Sequence, residues 1–159
     1  IGAMVTGIVF CKVKKIPFLS LCDFCVPYLS LAQSIGRWGN FINREAYGSE
    51  TTSILRMGIF DSQVNDYIFV HPTFLYESIA TFFIFMILLW VKKKQKFEGQ
   101  LFYLYMILYG LARSLIEGLR TDSLYLGNFR ISQVLAILFV CVFSTIYYMK
   151  RHQKVHQAE

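Results

Sequence analysis

Tyr109, Arg113 and Glu117 recur every four residues in the otherwise apolar run 101–119. Successive members of such a series are offset by about 40° around a helix, so they form one drifting stripe. Arg113 and Glu117 stand at the spacing that lets the two pair. An arginine in a membrane helix costs roughly 2.5–3.5 kcal/mol on insertion scales. It therefore marks either a working site or an ion pair that only holds helices together. Arg120 follows one turn beyond Glu117.

A second concentration is GRWGNFINREAYG, residues 36–48. On a helix, Gly36, Gly39, Asn40 and Asn43 share one face, which predicts close backbone approach and interhelical hydrogen bonds. Arg37 and Arg44 lie on a neighbouring face with Glu45 beside them. Two arginines and two asparagines within eight residues exceed what packing needs. Guanidinium forks and amide donors suit a phosphate oxyanion. A third segment is HPTFLYES, residues 71–78. Pro72 suits a helix start, His71 stands at its entrance, and Glu77 lies inside an uncharged run as a partner for one of the arginines. Cys22 and Cys25 form a lone CxxC, too little for a four-ligand metal site. No metal, nucleotide or nucleic-acid motif accompanies it.

The elements that must carry these residues follow from composition. Of 159 residues, 55% are hydrophobic and 16% charged, with mean hydropathy +0.46. Soluble domains carry about 25% charged residues, so a soluble or disordered chain is excluded. Apolar runs at 24–41, 73–91, 101–119 and 131–149 have the length of membrane spans, about 20 residues, and 1–11 reads as the second half of another. The chain starts at Ile1 without a basic leader, and the expectation is of a piece lacking its N-terminal part. The fold class expected is an all-α polytopic membrane protein of about five spans, the first partial. It forms one transmembrane domain over 1–159 with a small external cap at 42–72. Loose alternation over 49–70 predicts strands in that cap, and the polar tail 150–159 is expected to fray.

Positive charge sets the orientation. Ten of the sixteen basic residues, including all nine lysines, fall in three clusters: Lys12–Lys15, Lys92–Lys96 and Lys150–Lys154. These follow the first, third and fifth spans. The C-terminus is therefore expected in the cytoplasm and the 42–72 loop outside, with Arg37, Arg113, Glu117 and Arg120 toward the outer leaflet. Trp38, Trp90, Tyr147 and Tyr148 read as interfacial belt residues. The four cysteines read as small hydrophobes.

GRWGNFINREAYG resembles the signature of the prolipoprotein diacylglyceryl transferases, bacterial enzymes of lipoprotein maturation. HPTFLYES, YGLARSLIEGLR and the order of the spans are similar to that family too, over nearly the whole chain. The resemblance implies a seven-span enzyme of the bacterial cytoplasmic membrane. Such an enzyme moves a diacylglyceryl group from phosphatidylglycerol to the lipobox cysteine thiol of a preprolipoprotein, leaving a thioether and glycerol-1-phosphate. It implies no cofactor. It carries catalytic roles onto Tyr109, Arg113 and Glu117. It carries substrate-binding roles onto Arg37, Asn40, Asn43, Glu45 and Gly48, and onto Arg120 and His71. The family also has an important His in a His-Gly-Gly-Leu stretch upstream of where this chain begins.

Arg37 and Arg113, with Asn40 and Asn43, suit a bound and then departing phosphate. Glu117 and Glu45 are expected to hold the arginines in place. The base for the acceptor thiol stays open between the upstream His and a network of Tyr109 with Arg113. Three other readings stand beside the enzyme: a truncated, non-catalytic membrane protein that binds phosphatidylglycerol, an anion pathway, and polar residues that only glue helices.

Overall fold

The computed structural model describes residues 2–61, 65–119, 125–126 and 129–156. Five helices follow in order: α1 (Gly2–Lys14), α2 (Phe18–Asn43), α3 (Thr73–Lys92), α4 (Gln100–Glu117) and α5 (Ile131–His156). Between α2 and α3 lies an antiparallel hairpin, β1 (Met57–Asp61) and β2 (Asp66–Val70). A two-residue ladder, β3 (Tyr125–Leu126) and β4 (Phe129–Arg130), precedes α5. Among the described residues three helices are long and apolar enough to cross a membrane, over Phe18–Asn43, Thr73–Lys92 and Ile131–Gln153, where the sequence reading expects about five spans. The molecule is an all-α polytopic membrane protein.

The second helix starts earlier than the sequence reading places it. Pro17 ends the preceding turn and α2 runs from Phe18, so it takes in Asp23. That carboxylate is buried, not solvated outside the span. It accepts hydrogen bonds from the backbone N–H of Gly99 at 2.6 Å and Phe102 at 2.9 Å, and from Gln95 Nε2 at 2.5 Å. The first-turn donors of α4 have no partner within their own helix, and an anion there also meets the positive end of the helix dipole. Asp23 thus pins the start of α4 to α2. Asp23→Ala leaves two buried N–H groups without an acceptor and should cost at least about 1–3 kcal/mol. Thermal unfolding in detergent checks this, and Asp23→Asn, which keeps one acceptor, should lose less.

Helices α2 and α3 are joined by hydroxyls. Ser30 Oγ donates to Thr81 O and Ser34 Oγ to Ser78 O, each at 2.8 Å, and Ser78 Oγ donates back to Ser34 O at 2.9 Å. All four side chains are buried. This is the close packing expected of Gly36, Gly39, Asn40 and Asn43, and it lies elsewhere. A Cβ at Gly36 or Gly39 would meet nothing within 4 Å, so that face of α2 is open. Small residues permit contact but do not compel it. The hydroxyls also satisfy their own hydrogen-bonding demand in the apolar interior.

The core between α2, α3 and α4 is Val26, Ile84, Leu88, Leu101 and Tyr105. Helix α5 packs along α4. A Cβ on Gly110 would fall 2.8 Å from Val140 Cγ2 and 3.2 Å from Ala136 O, so only glycine permits this approach. Phe143 meets Phe102 and Tyr103 on α4, and Gln100 Nε2 donates to Tyr147 OH at 3.2 Å. Tyr147, expected from sequence as an interfacial residue, is tied to α4. The expected fraying from residue 150 is corrected: α5 continues to His156. Lys150, Arg151 and His152 are polar but helix-compatible, and cations suit the negative end of the helix.

Candidate active site

Four ions from three helices meet in one cluster. Arg37 comes from α2, Glu77 from α3, and Arg113 and Glu117 from α4. Arg37 Nε pairs with Glu77 Oε2, and Arg113 Nη1 donates to Glu77 Oε1. Arg113 Nη2 donates to Glu117 Oε2 at 2.6 Å. Glu77 is 5% and Glu117 2% exposed, whereas the arginine side chains keep 25% (Arg37) and 22% (Arg113). Buried carboxylates thus hold two guanidinium groups that still reach the surface of the cluster. The four charges cancel formally, which is what allows them to sit among apolar helices.

The two arginines are not equivalent. Arg113 divides its fork between two carboxylates, so its position is fixed from both ends. Arg37 spends only Nε on Glu77, and its two Nη groups have no protein partner among the described residues. Guanidinium carries five donors in a planar fork, and with Nε engaged the Nη pair is the edge left to match a phosphate bidentately.

The helices are seated at this end by aromatic and backbone contacts. Trp38 and Phe41 pack on Phe74, with ring centroids 5.5 and 4.9 Å apart. Helix α2 stops at Arg44, whose φ of 55° is left-handed, with Glu45 N–H donating to Asn40 O at 3.0 Å. Ala46 is also left-handed, and the chain turns back. Thr73 Oγ1 then donates to Ala46 O at 2.6 Å. Gly48 N–H donates to His71 O and Ser49 N–H to Leu119 O, both at 2.9 Å. The end of the signature is therefore a clasp that joins the start of α3 to the segment just past α4.

All but one of the residues singled out as site candidates from sequence are described. Arg37, Arg113 and Glu117 come together as ions. Tyr109, half-buried one turn before Arg113, stacks on Tyr105 at 5.6 Å with rings 13° apart, and Tyr105 OH donates to Gln33 Oε1 at 2.9 Å. Asn40 lies one turn beyond Arg37 on α2, without a side-chain hydrogen bond among the described residues. Asn43 Nδ2 donates to Glu45 Oε1 at 3.2 Å, and both are exposed. Among the described residues Glu45 therefore pairs with no arginine. The left-handed turn at Arg44 carries it off the helix face that bears Arg37, and Glu77 takes that part. Gly48 is buried in the clasp. His71 Nδ1 lies 3.3 Å from Tyr76 OH, while its backbone serves the clasp. Arg120 lies outside the described residues. Asp23, Ser30 and Ser34 carried no signal in the sequence reading. Glu77 did, as the lone ion of its run.

The family described as prolipoprotein diacylglyceryl transferase matches residues 1–149 of the chain. A phosphatidylglycerol–prolipoprotein diacylglyceryl transferase of Finegoldia magna is 49% identical over 141 residues, covering 88% of this chain and 54% of that protein. The protein of the same name from Listeria welshimeri is 47% identical over 146 residues, covering 88% of this chain and 53% of the relative. That of Clostridioides difficile is 45% identical over 155 residues, 96% of this chain and 60% of the relative. The chain thus spans between 53% and 60% of the length of these relatives.

Proposed function

Because the chain belongs to the prolipoprotein diacylglyceryl transferase family, we propose that it serves transfer of the diacylglyceryl group of phosphatidylglycerol to a lipobox cysteine. The observation that supports this most is the pair of guanidinium groups held by Glu77, with the Nη edge of Arg37 left for a ligand. The headgroup phosphodiester of phosphatidylglycerol is a single anion of the shape that edge binds. In the reaction the acceptor sulfur forms a bond to the terminal carbon of the diacylglyceryl group. The carbon–oxygen bond to phosphate breaks, and its electron pair leaves on glycerol-1-phosphate. Charge therefore builds on a phosphate oxygen, where a fixed guanidinium stabilises it without reorganising. A free thiol has a pKa of about 8.5, so its proton must pass to a base as it attacks. Glu77 and Glu117 are committed to arginines and act as positioning residues. Tyr109, one turn from Arg113, is placed to orient the lipid or the thiol. Asn40, Asn43, Gly48, His71 and Glu45 frame the phosphate end, the part that the resemblance also assigns to Arg120. The site then faces the outside of the bacterial cytoplasmic membrane, with 42–72 as its cap, 1–159 as one transmembrane domain and the C-terminus in the cytoplasm.

The test uses phosphatidylglycerol liposomes and a lipobox peptide. Transfer raises the peptide mass by one diacylglyceryl group and releases an equal amount of glycerol-1-phosphate. Arg37→Lys keeps the charge but loses the fork, and should lower turnover by about 10²–10³-fold, with little change in unfolding temperature. Arg113→Lys cannot span two carboxylates, so it should lose both turnover and stability. Near-normal turnover by Arg37→Lys rejects its phosphate role.

A further inference from the structure

The β1–β2 hairpin has two apolar faces where one would suffice. Its register pairs Met57 with Val70 and Ile59 with Ile68 on one face, and Gly58 with Phe69 and Phe60 with Tyr67 on the other. Ile59 and Val70 are buried, so the first face packs inward. An antiparallel hairpin with one buried face normally turns polar side chains outward. Here the outward face is aromatic: Phe60 is 43%, Tyr67 63% and Phe69 46% exposed. Phe60 and Tyr67 meet edge to face at 5.5 Å, and the bare backbone of Gly58 lies under the rings of Phe69 and Tyr67. Arg56 places its guanidinium 4.4 Å above Phe69. Ile54, just before it, is fully exposed.

We propose that this aromatic face lies flat in the headgroup layer of the membrane, with Phe60, Tyr67 and Phe69 among the lipids and Arg56 reaching their phosphates. Continuity supports the lipid surface as occupant. The hairpin joins α3 directly at Val70–Thr73, and the nearby end of α2 exposes Trp38, Phe41 and Ile42. Tyr67, a ring with one polar edge, favours the interface, while Phe60 and Phe69 beside it supply apolar area. An arginine over a ring can keep its stem in apolar surroundings and its head among anions. The last pair before the turn includes the exposed Asp66, and a carboxylate is costly in hydrocarbon. The hairpin therefore lies face down and does not insert tip first. This inference rests on the membrane fold alone and stands whether or not the transferase reading does.

The chain has two tryptophans, so a single reporter is accessible. With Trp38→Phe and Trp90→Phe, Tyr67→Trp puts one indole on the outer face, and Phe60→Trp gives an independent second reporter. Each is reconstituted in nanodiscs of phosphatidylglycerol and phosphatidylcholine. The expected result is loss of most of the emission when lipids carry bromine near the headgroup, less loss with bromine deep in the chain, and protection from aqueous iodide. Quenching by iodide and not by brominated lipid would place the face in water. Insensitivity to both would show that protein covers it. Either outcome overturns the proposal.

Discussion

Glu77→Gln should be the most damaging single substitution in the molecule. It is nearly isosteric, so packing changes little. It removes the negative charge that two arginines share and replaces one acceptor oxygen with a donor group facing a guanidinium. Glu77 is 5% exposed, and removing one partner of a buried ion pair costs about 3–5 kcal/mol. Because the arginines stay about a quarter exposed, water offsets part of this, and the lower half of that range is expected. A double-mutant cycle with Arg37→Gln separates the parts. If Glu77 acts by compensating Arg37, the double variant is less destabilised than the sum of the single ones, with a coupling of about 0.5–3 kcal/mol. Unfolding in detergent micelles measures all four proteins. A loss below about 1 kcal/mol for Glu77→Gln would show that the shared carboxylate does not organise the cluster.

Gly48→Ala should abolish most activity from a position that touches none of the four ions. A Cβ there would sit 2.7 Å from His71 Cβ, 2.8 Å from Leu119 O and 3.0 Å from Thr73 Cγ2. None is the far end of a flexible side chain, so backbone must move. Overpacking of this kind costs about 1–3 kcal/mol. The larger effect is geometric. The clasp ties the start of α3, which carries Glu77, to the segment following α4, which carries Arg113 and Glu117. A displacement of about 1 Å between such elements can cost roughly 10²-fold in rate. Turnover and unfolding temperature of Gly48→Ala check both effects. A variant with normal turnover would show that the clasp does not position the site.

The spans of α2, α3 and α5 were legible because each is a long apolar run with few ions, and hydrophobic length is a local property. The pairing of Arg113 with Glu117 was legible from their spacing, since residues four apart on a helix lie side by side. Alternation over 49–70 corresponds to the hairpin, although its second apolar face emerges only once the register is known. Asp23 was not legible. Its partners Gly99 and Phe102 lie more than seventy residues away, and a charge at the edge of an apolar run looks like the end of a span. Gly36 and Gly39 misled in the opposite direction, because a missing side chain signals close packing only where another backbone comes near. Glu77 was legible as a partner for an arginine, whereas Glu45 was expected in that part too because the left-handed turn at Arg44 is a backbone choice that an arginine does not announce.

In the function proposed, Arg37, steadied by Glu77 beside Arg113, receives the phosphate of phosphatidylglycerol. The most direct measurement is native mass spectrometry of the reconstituted chain with phosphatidylglycerol and phosphatidylcholine in equal amounts, for wild type and Arg37→Gln. Charged hydrogen bonds contribute about 1.5–3 kcal/mol. Wild type should therefore retain phosphatidylglycerol selectively, since the choline cation is repelled by the arginines, and Arg37→Gln should bind it about tenfold or more weakly. Equal retention of both lipids by wild type, or retention of phosphatidylglycerol unchanged by Arg37→Gln, would contradict it.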